Sequence, residues 1–140
     1  PESLNRAKEQ LNATIVSPQE ILMLDVDVVA PCAMGATINR QSVETLKAKV
    51  IAGAANNQLA TEDLGEVLRS KGVLYAPDYV INAGGIIDIY HQKMLSSNEA
   101  LKTHLEKIGH TLREIYSRAD EQKLATNVVA NSLAEEKFRK

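Results

Sequence analysis

The sequence predicts an α/β fold, a parallel sheet of short strands alternating with helices and closed by two further helices at the C-terminal end. Three observations predict it. Apolar or β-branched runs of three to five residues alternate with amphipathic stretches, the pattern of βαβ units with right-handed crossovers. A loop of small, glycine or polar residues follows a strand three times, after Ala30, Ala52 and Tyr75. Ligands of parallel sheets bind outside the carboxyl ends of the strands. From Ser96 onward the apolar residues keep a helical period.

Taken in order, residues 3–11 read as a helix with Leu4, Ala7 and Leu11 on one side and Ser3 as its N-cap. Thr14, Ile15 and Val16 form a short β-branched strand candidate. Pro18 opens a helical turn, and residues 26–30 read as the next strand. A small-residue loop covers residues 31–36, and a helix covers 42–49 with Val43 and Leu46 inward. Residues 50–52 are nearly all apolar, as expected of a strand covered on both faces. The loop 53–57 follows, then an amphipathic helix over 63–71 using Leu64, Val67 and Leu68, with Gly72 at C′. Residues 73–75 are a strand.

From Asp78 a helix is expected to run to about Lys93. Gly84 and Gly85 lie in it, each costing about 1 kcal/mol against alanine. Close approach by a ligand or a backbone would account for them, and so would a tight helix–sheet contact. Ile86 and Ile89 share one helical face. Ser96 or Ser97 caps a long helix to about Gln122, apolar at Leu101, Leu105, Ile108, Leu112, Ile115 and Tyr116. A last helix starts near Thr126 and carries Val128, Val129, Leu133 and Ala134.

The chain's 140 residues suffice for one domain with a core. A net charge of -2 gives no push toward nucleic acid or anionic membrane. Cys32 is the single cysteine, so no internal disulfide framework forms, which fits a reducing compartment. No apolar run approaches the roughly 20 residues that span a bilayer. A cytoplasmic protein with no nucleic-acid or membrane partner is the expectation. The start at Pro1, close to a helix, suggests a piece of a longer protein.

Candidate chemistry is sparse. His91, His104 and His110 show no metal-ligand spacing and read as ordinary histidines. Cys32 has no base beside it, and Asp25 and Asp27 read as solvated or hydrogen-bonded. Asn56 and Asn57 stand out, because two amides at the carboxyl end of a buried strand donate and accept together. They suit a carboxamide, ribose hydroxyls or a carboxylate, or else form a turn. Gly53, Ala54 and Ala55 have no bulk to exclude a flat ligand. No G-x-G-x-x-G turn occurs. Either this is a different α/β domain or it is a Rossmann domain whose beginning is missing.

Three stretches carry a resemblance: Ala30-Pro31-Cys32-Ala33-Met34-Gly35-Ala36, the run Ile51 to Leu59, and the run Tyr75 to Gly85. Together, in order and spacing, they resemble the amino-acid dehydrogenases acting on Glu, Leu, Phe and Val, and most of all the members acting on leucine. The resemblance implies a partial Rossmann-type parallel sheet lacking its first strands. Residues 1–95 would be the latter part of an NAD-binding domain and residues 96–140 a C-terminal helical segment. The implied reaction is reversible NAD-dependent oxidative deamination of a branched-chain L-amino acid to a 2-oxo acid and ammonia. The catalytic lysines and aspartate, the glycine-rich turn and the acidic residue for the adenosine ribose would lie outside this chain, leaving it inactive alone.

Residue by residue, the resemblance places Cys32, Ala33, Ala55 and Asn56 along the cofactor. It places Asn57, Ile86 and Ile89 by the substrate, with Asn56 and Asn57 sharing the nicotinamide ribose and substrate carboxylate in an undivided way. Two aliphatic side chains would bury a glutamate carboxylate unpaired, so branched aliphatic substrates fit better. The alternatives are a non-catalytic dehydrogenase-like assembly domain, or a phenylalanine or valine dehydrogenase. Implied partners are the small-molecule substrate, the remaining part of the same protein, and further copies in a homo-oligomer. A strand left beside missing ones would expose its backbone and invite association.

Overall fold

Three apolar dipeptides pair to make the sheet. In the computed structural model, which describes residues 2–139, β1 (Val28–Val29), β2 (Val50–Ile51) and β3 (Leu74–Tyr75) run parallel in the order β1-β2-β3. Val28 aligns with Val50 and Leu74, and Val29 aligns with Ile51 and Tyr75. The strands are shorter than the apolar runs that encode them, because pairing stops where the chain turns into the following loops.

Alternation along a strand gives each row its own face. Val29, Ile51 and Tyr75 are buried and join Ile38, Val43, Leu64 and Leu68 in one core. The other row, Val28, Val50 and Leu74, is not buried, with Val28 52% exposed. The expectation that both faces of residues 50–52 are covered therefore fails among the described residues. The carbonyls of Asp27 and Val29 accept from Val50 and Ala52. The pleat sends the carbonyl of Val28, between them, to the opposite, open edge.

The first part of the chain departs most from its local signals. Helix α1 (Glu2–Leu11) already contains Ser3 in its first turn, so Ser3 is not its N-cap, and it has no buried residue. Residues 14–16 form no strand: Ile15 is exposed and the segment pairs with none of β1–β3. β-Branched residues favour a strand only where a partner exists. A 3-10 turn at Ile21–Met23 follows the turn opened at Ser17, whose hydroxyl donates to Glu20 at 2.7 Å.

Helix α2 (Arg40–Thr45) starts two residues earlier than expected, because Asn39 and Ser42 cap each other reciprocally. It ends at Thr45, and Leu46 takes an extended conformation that brings Ala48 inward and Lys49 to the sheet. Helix α3 (Leu64–Ser70) buries Leu64, Gly65 and Leu68, and Gly72 has the left-handed φ of +72° expected of its position.

The helix expected over residues 78–93 is two helices, α4 (Asp78–Ile81) and α5 (Gly84–Lys93), broken at Asn82–Ala83. Helix α6 (Asn98–Gln122) is capped by Ser97, whose hydroxyl accepts from Ala100 at 3.2 Å. It packs on α4, α5 and α7 (Thr126–Phe138). Ile115, Ala119, Val129, Ala130 and Leu133 form a second core. His91 and His104, expected to be unrelated, meet across α5 and α6 with Nε2 and Nδ1 3.0 Å apart. No helix of the described residues is long and apolar enough to cross a membrane.

The C-terminal helices are tied to the sheet layer by polar bonds as well as by this core. Thr126 donates to the Tyr75 carbonyl at 2.7 Å and Asn127 Nδ2 to the Glu62 carbonyl at 3.0 Å. Gly65 is needed there, since a Cβ would run into the Asn127 amide, its Cγ lying 2.6 Å away. Gly65→Ala is expected to swing Asn127 out and cost about 1–3 kcal/mol, read by denaturant melting. In an Asn127→Ala background most of that cost should vanish, the non-additivity of a shared contact.

Candidate functional site

The loops that follow the three strands meet at one rim. Pro31 O accepts from Ala55 N at 2.9 Å, and Asn57 O accepts from Ala36 N at 2.7 Å. The loops after β1 and β2 are therefore laced backbone to backbone. Gly53 permits this, because a Cβ would run into the backbone of Pro31, its carbonyl carbon lying 2.7 Å away. A Cβ on Gly35 would likewise press on the loop after β2, 2.8 Å from Asn56 O. The glycine at 53 thus makes room for Pro31, where a flat ligand was the expectation.

Gln58 joins these loops to the third. Its side chain is fully buried, and its amide donates to Gly53 O at 2.6 Å and Ala55 O at 2.9 Å. Its backbone N–H donates to Asp78 Oδ2 at 2.9 Å, and Asp78 Oδ1 accepts from Tyr79 N. Asp78, the carboxylate at this rim, has both oxygens engaged by backbone. Burial first, then the Asp78 charge, pushes the phenols of Tyr75 and Tyr79 up. Tyr79 donates to Asn131 Oδ1 at 2.7 Å.

The expected site residues divide into groups. Cys32 and Ala33 are exposed on the rim, and Cys32 Sγ accepts from Ala54 N at 3.5 Å. Ala55 is buried, with its N–H taken by Pro31 and its carbonyl by Gln58. Asn56 and Asn57 are both exposed but diverge. Asn56 Oδ1 accepts from Asn82 Nδ2, which also donates to Ala54 O at 3.3 Å. Asn57 has a left-handed φ of 52° and lines a separate cavity of about 170 Å³ with Tyr79 and Asn131. Asparagine tolerates that conformation, so its turn role is real.

Joining Asn56 to Asn82 leaves the Asn56 NH₂ and the Asn82 carbonyl oxygen without a hydrogen-bond partner among the described residues. A donor and an acceptor side by side match a primary carboxamide or a pair of hydroxyls. The Asn82 bond falls at the helix break, two residues before α5 starts. Ile86 and Ile89 follow on α5, 68% and 61% exposed. A Cβ on Gly85 would meet nothing within 4 Å, and one on Gly84 only Leu105 at 3.6 Å. The alternative of a tight helix–sheet contact at these glycines is thereby removed.

Sequence reasoning assigned no role to Gln58, Asn82 or Asp78. A glutamine after two asparagines reads as solvated, and its burial follows from the fold. Asn82 before two glycines was the one available sign of a helix break. Among the described residues no group of three or more His, Cys, Asp or Glu is placed to hold a metal ion.

The fold and the rim define a class: an α/β domain with a partial Rossmann-type parallel sheet, C-terminal helices, and laced loops at the carboxyl ends of its strands. Residues 2–138 match the family model of the glutamate/leucine/phenylalanine/valine dehydrogenases. An L-tryptophan dehydrogenase of Nostoc punctiforme is 44% identical over 139 residues, 99% of this chain and 39% of that protein. A leucine dehydrogenase of Bacillus cereus is 42% identical over 137 residues, 98% of this chain and 37% of that protein. The crystal structure of the Nostoc enzyme superposes with a TM-score of 0.94, covering 99% of this chain and 42% of that one. A hetero-hexameric glutamate dehydrogenase of Thermus thermophilus, 20% identical, shares the fold with a TM-score of 0.72 over 97% of this chain and 35% of its own. The chain belongs to the glutamate/leucine/phenylalanine/valine dehydrogenase family. It spans about two fifths of the length of the relatives it matches.

Proposed function

We propose that residues 1–95 are the latter part of an NAD-binding domain and residues 96–140 its C-terminal helical segment. The complete protein would carry out reversible NAD-dependent oxidative deamination of a branched-chain L-amino acid, leucine first, to a 2-oxo acid and ammonia. The observation that carries this reading is the joined Asn56–Asn82 pair at the start of α5, next to open backbone at Gly85 and the exposed Ile86 and Ile89. Bound NAD would supply the hydride acceptor for the substrate α-carbon, held by the loops at residues 31–36 and 53–57. The chain's own residues position the reactants. Cys32, Ala33 and Asn56 lie along the cofactor with Ala55 buried beneath them, and Ile86 and Ile89 wall the substrate side chain. The substrate role that the resemblance implies for Asn57 would require its side chain to leave the cavity it shares with Tyr79 and Asn131. The family resemblance assigns proton transfer to lysines and an aspartate outside these residues, so the 140 residues alone are expected to be inactive. The bare row Val28, Val50 and Leu74 and the open edge of β1 suit that remaining part as partner, with homo-oligomerisation of the whole in the cytoplasm.

An aromatic substrate is the second reading, favoured by the 44% identity to an L-tryptophan dehydrogenase and by the open space at Gly85. Steady-state rates of the protein expressed from its natural gene, on leucine, isoleucine, valine, phenylalanine and tryptophan, separate the two. The highest kcat/KM is expected with a branched aliphatic substrate. A preference for phenylalanine or tryptophan would replace it with the aromatic reading. No NADH from any of them would leave a non-catalytic assembly domain.

A further inference from the structure

Gln58 bonds through its side chain to the loop after β2, while its own backbone reaches Ile38, just past the loop after β1, and Asp78 at the head of α4. Its amide orientation follows from its partners: Gly53 O and Ala55 O are both acceptors, so the NH₂ group must face them. Its backbone carbonyl accepts from Ile38 at 3.0 Å, beyond the first loop, and its N–H donates to Asp78 at the head of α4. Its Oε1 is buried with no partner. A buried amide with an orphaned oxygen is costly to keep, and an apolar residue of the same length would avoid that cost. What the amide supplies in return is the curvature of residues 53–57. Two carbonyls are drawn inward to one NH₂ group, so Ala54, Asn56 and Asn57 between and beyond them turn outward to solvent.

We infer that Gln58 is the positioning residue of this rim. It sets how Asn56 is offered to Asn82, and so how the amide pair is offered to the cofactor, while touching no ligand itself. The cofactor half of this inference rests on the NAD reading above; the loop half does not. Gln58→Met removes both donors at nearly constant length. Gln58→Glu keeps the shape but turns a carboxylate toward two carbonyls.

The test uses the protein expressed from its natural gene, with hydrogen exchange read by mass spectrometry and NAD kinetics measured alongside. In Gln58→Met, exchange in peptides over residues 31–36 and 53–58 is expected to quicken at least about tenfold. Peptides over residues 74–76 should hold their rate, because Leu74 and Ala76 bond to β2 independently of Gln58. KM for NAD is expected to rise at least about tenfold, with kcat and the melting temperature changed far less. Gln58→Glu should exceed Gln58→Met in both readouts. Unchanged loops would overturn the inference, and so would loosening of residues 74–76 to the same degree, which marks an ordinary core residue. Loosened loops with an unchanged KM would overturn the cofactor half. Loosened loops in a protein that takes no NAD at all would sink the NAD reading and leave the loop half standing.

Discussion

Gly53→Ala is expected to destabilise the protein by at least about 3 kcal/mol, which makes it one of its most damaging small substitutions. The added methyl would run into the backbone of Pro31, and no side-chain rotation relieves a backbone contact. The loops after β1 and β2 must part, and parting them stretches the bond from Ala55 N to Pro31 O. Gly53 also carries a carbonyl held by Gln58, so the damage spreads to the rim. Denaturant melting of the variant checks the stability. A loss under about 1 kcal/mol would mean that Pro31 yields readily and that the lacing is soft. Gly85→Ala is the internal contrast, because its methyl would enter open space and should leave stability within about 0.5 kcal/mol or raise it.

Ile89→Asp is expected to lower kcat/KM on leucine at least a hundredfold or so while leaving the melting temperature nearly unchanged. The two readouts separate because Ile89 is 61% exposed in this chain, so it adds little to the core. A carboxylate beside an aliphatic substrate would have to be desolvated without a partner, at a cost of a few kcal/mol. Rates on leucine and a thermal melt, taken on the same protein, check both halves. An unchanged rate on leucine would remove Ile89 from the substrate wall and with it the case for a branched aliphatic preference.

Much of the fold was legible because its signals are local. Alternating apolar and amphipathic runs placed the three strands, and Gly72, Ser97 and the apolar period of α6 placed helix ends and faces. Two of the misses share a physical reason, namely that the deciding partner is distant in sequence. Residues 14–16 have β propensity and no strand to pair with. The break between α4 and α5 falls where Asn82 meets Asn56 and Ala54 of another loop. The start of α2 is set locally, since Asn39 and Ser42 have capping-box spacing, whereas the apolar pattern of Val43 and Leu46 marks only its inward face.

The site was legible as a set of loops and not as a network. Asn56, Ile86 and Ile89 emerge exposed at the rim, where a ligand can reach them. Asn57 diverges toward its own cavity, a separation that adjacency in the chain conceals. Gln58 was invisible as an organiser because polarity argues for exposure, and only the assembled loops bury it. Gly84 and Gly85 show the opposite case. The sequence offered packing or ligand approach as reasons for them, and the empty space around Gly85 leaves packing without support.

The most direct measurement is a crystal structure of the protein expressed from its natural gene, grown with NADH and a branched 2-oxo acid. The account predicts the nicotinamide over the loops at residues 31–36 and 53–57, within hydrogen-bond reach of the Asn56–Asn82 pair. It also predicts the substrate's aliphatic chain against Ile86 and Ile89. A nicotinamide bound elsewhere, or a substrate chain that touches neither isoleucine, would contradict it.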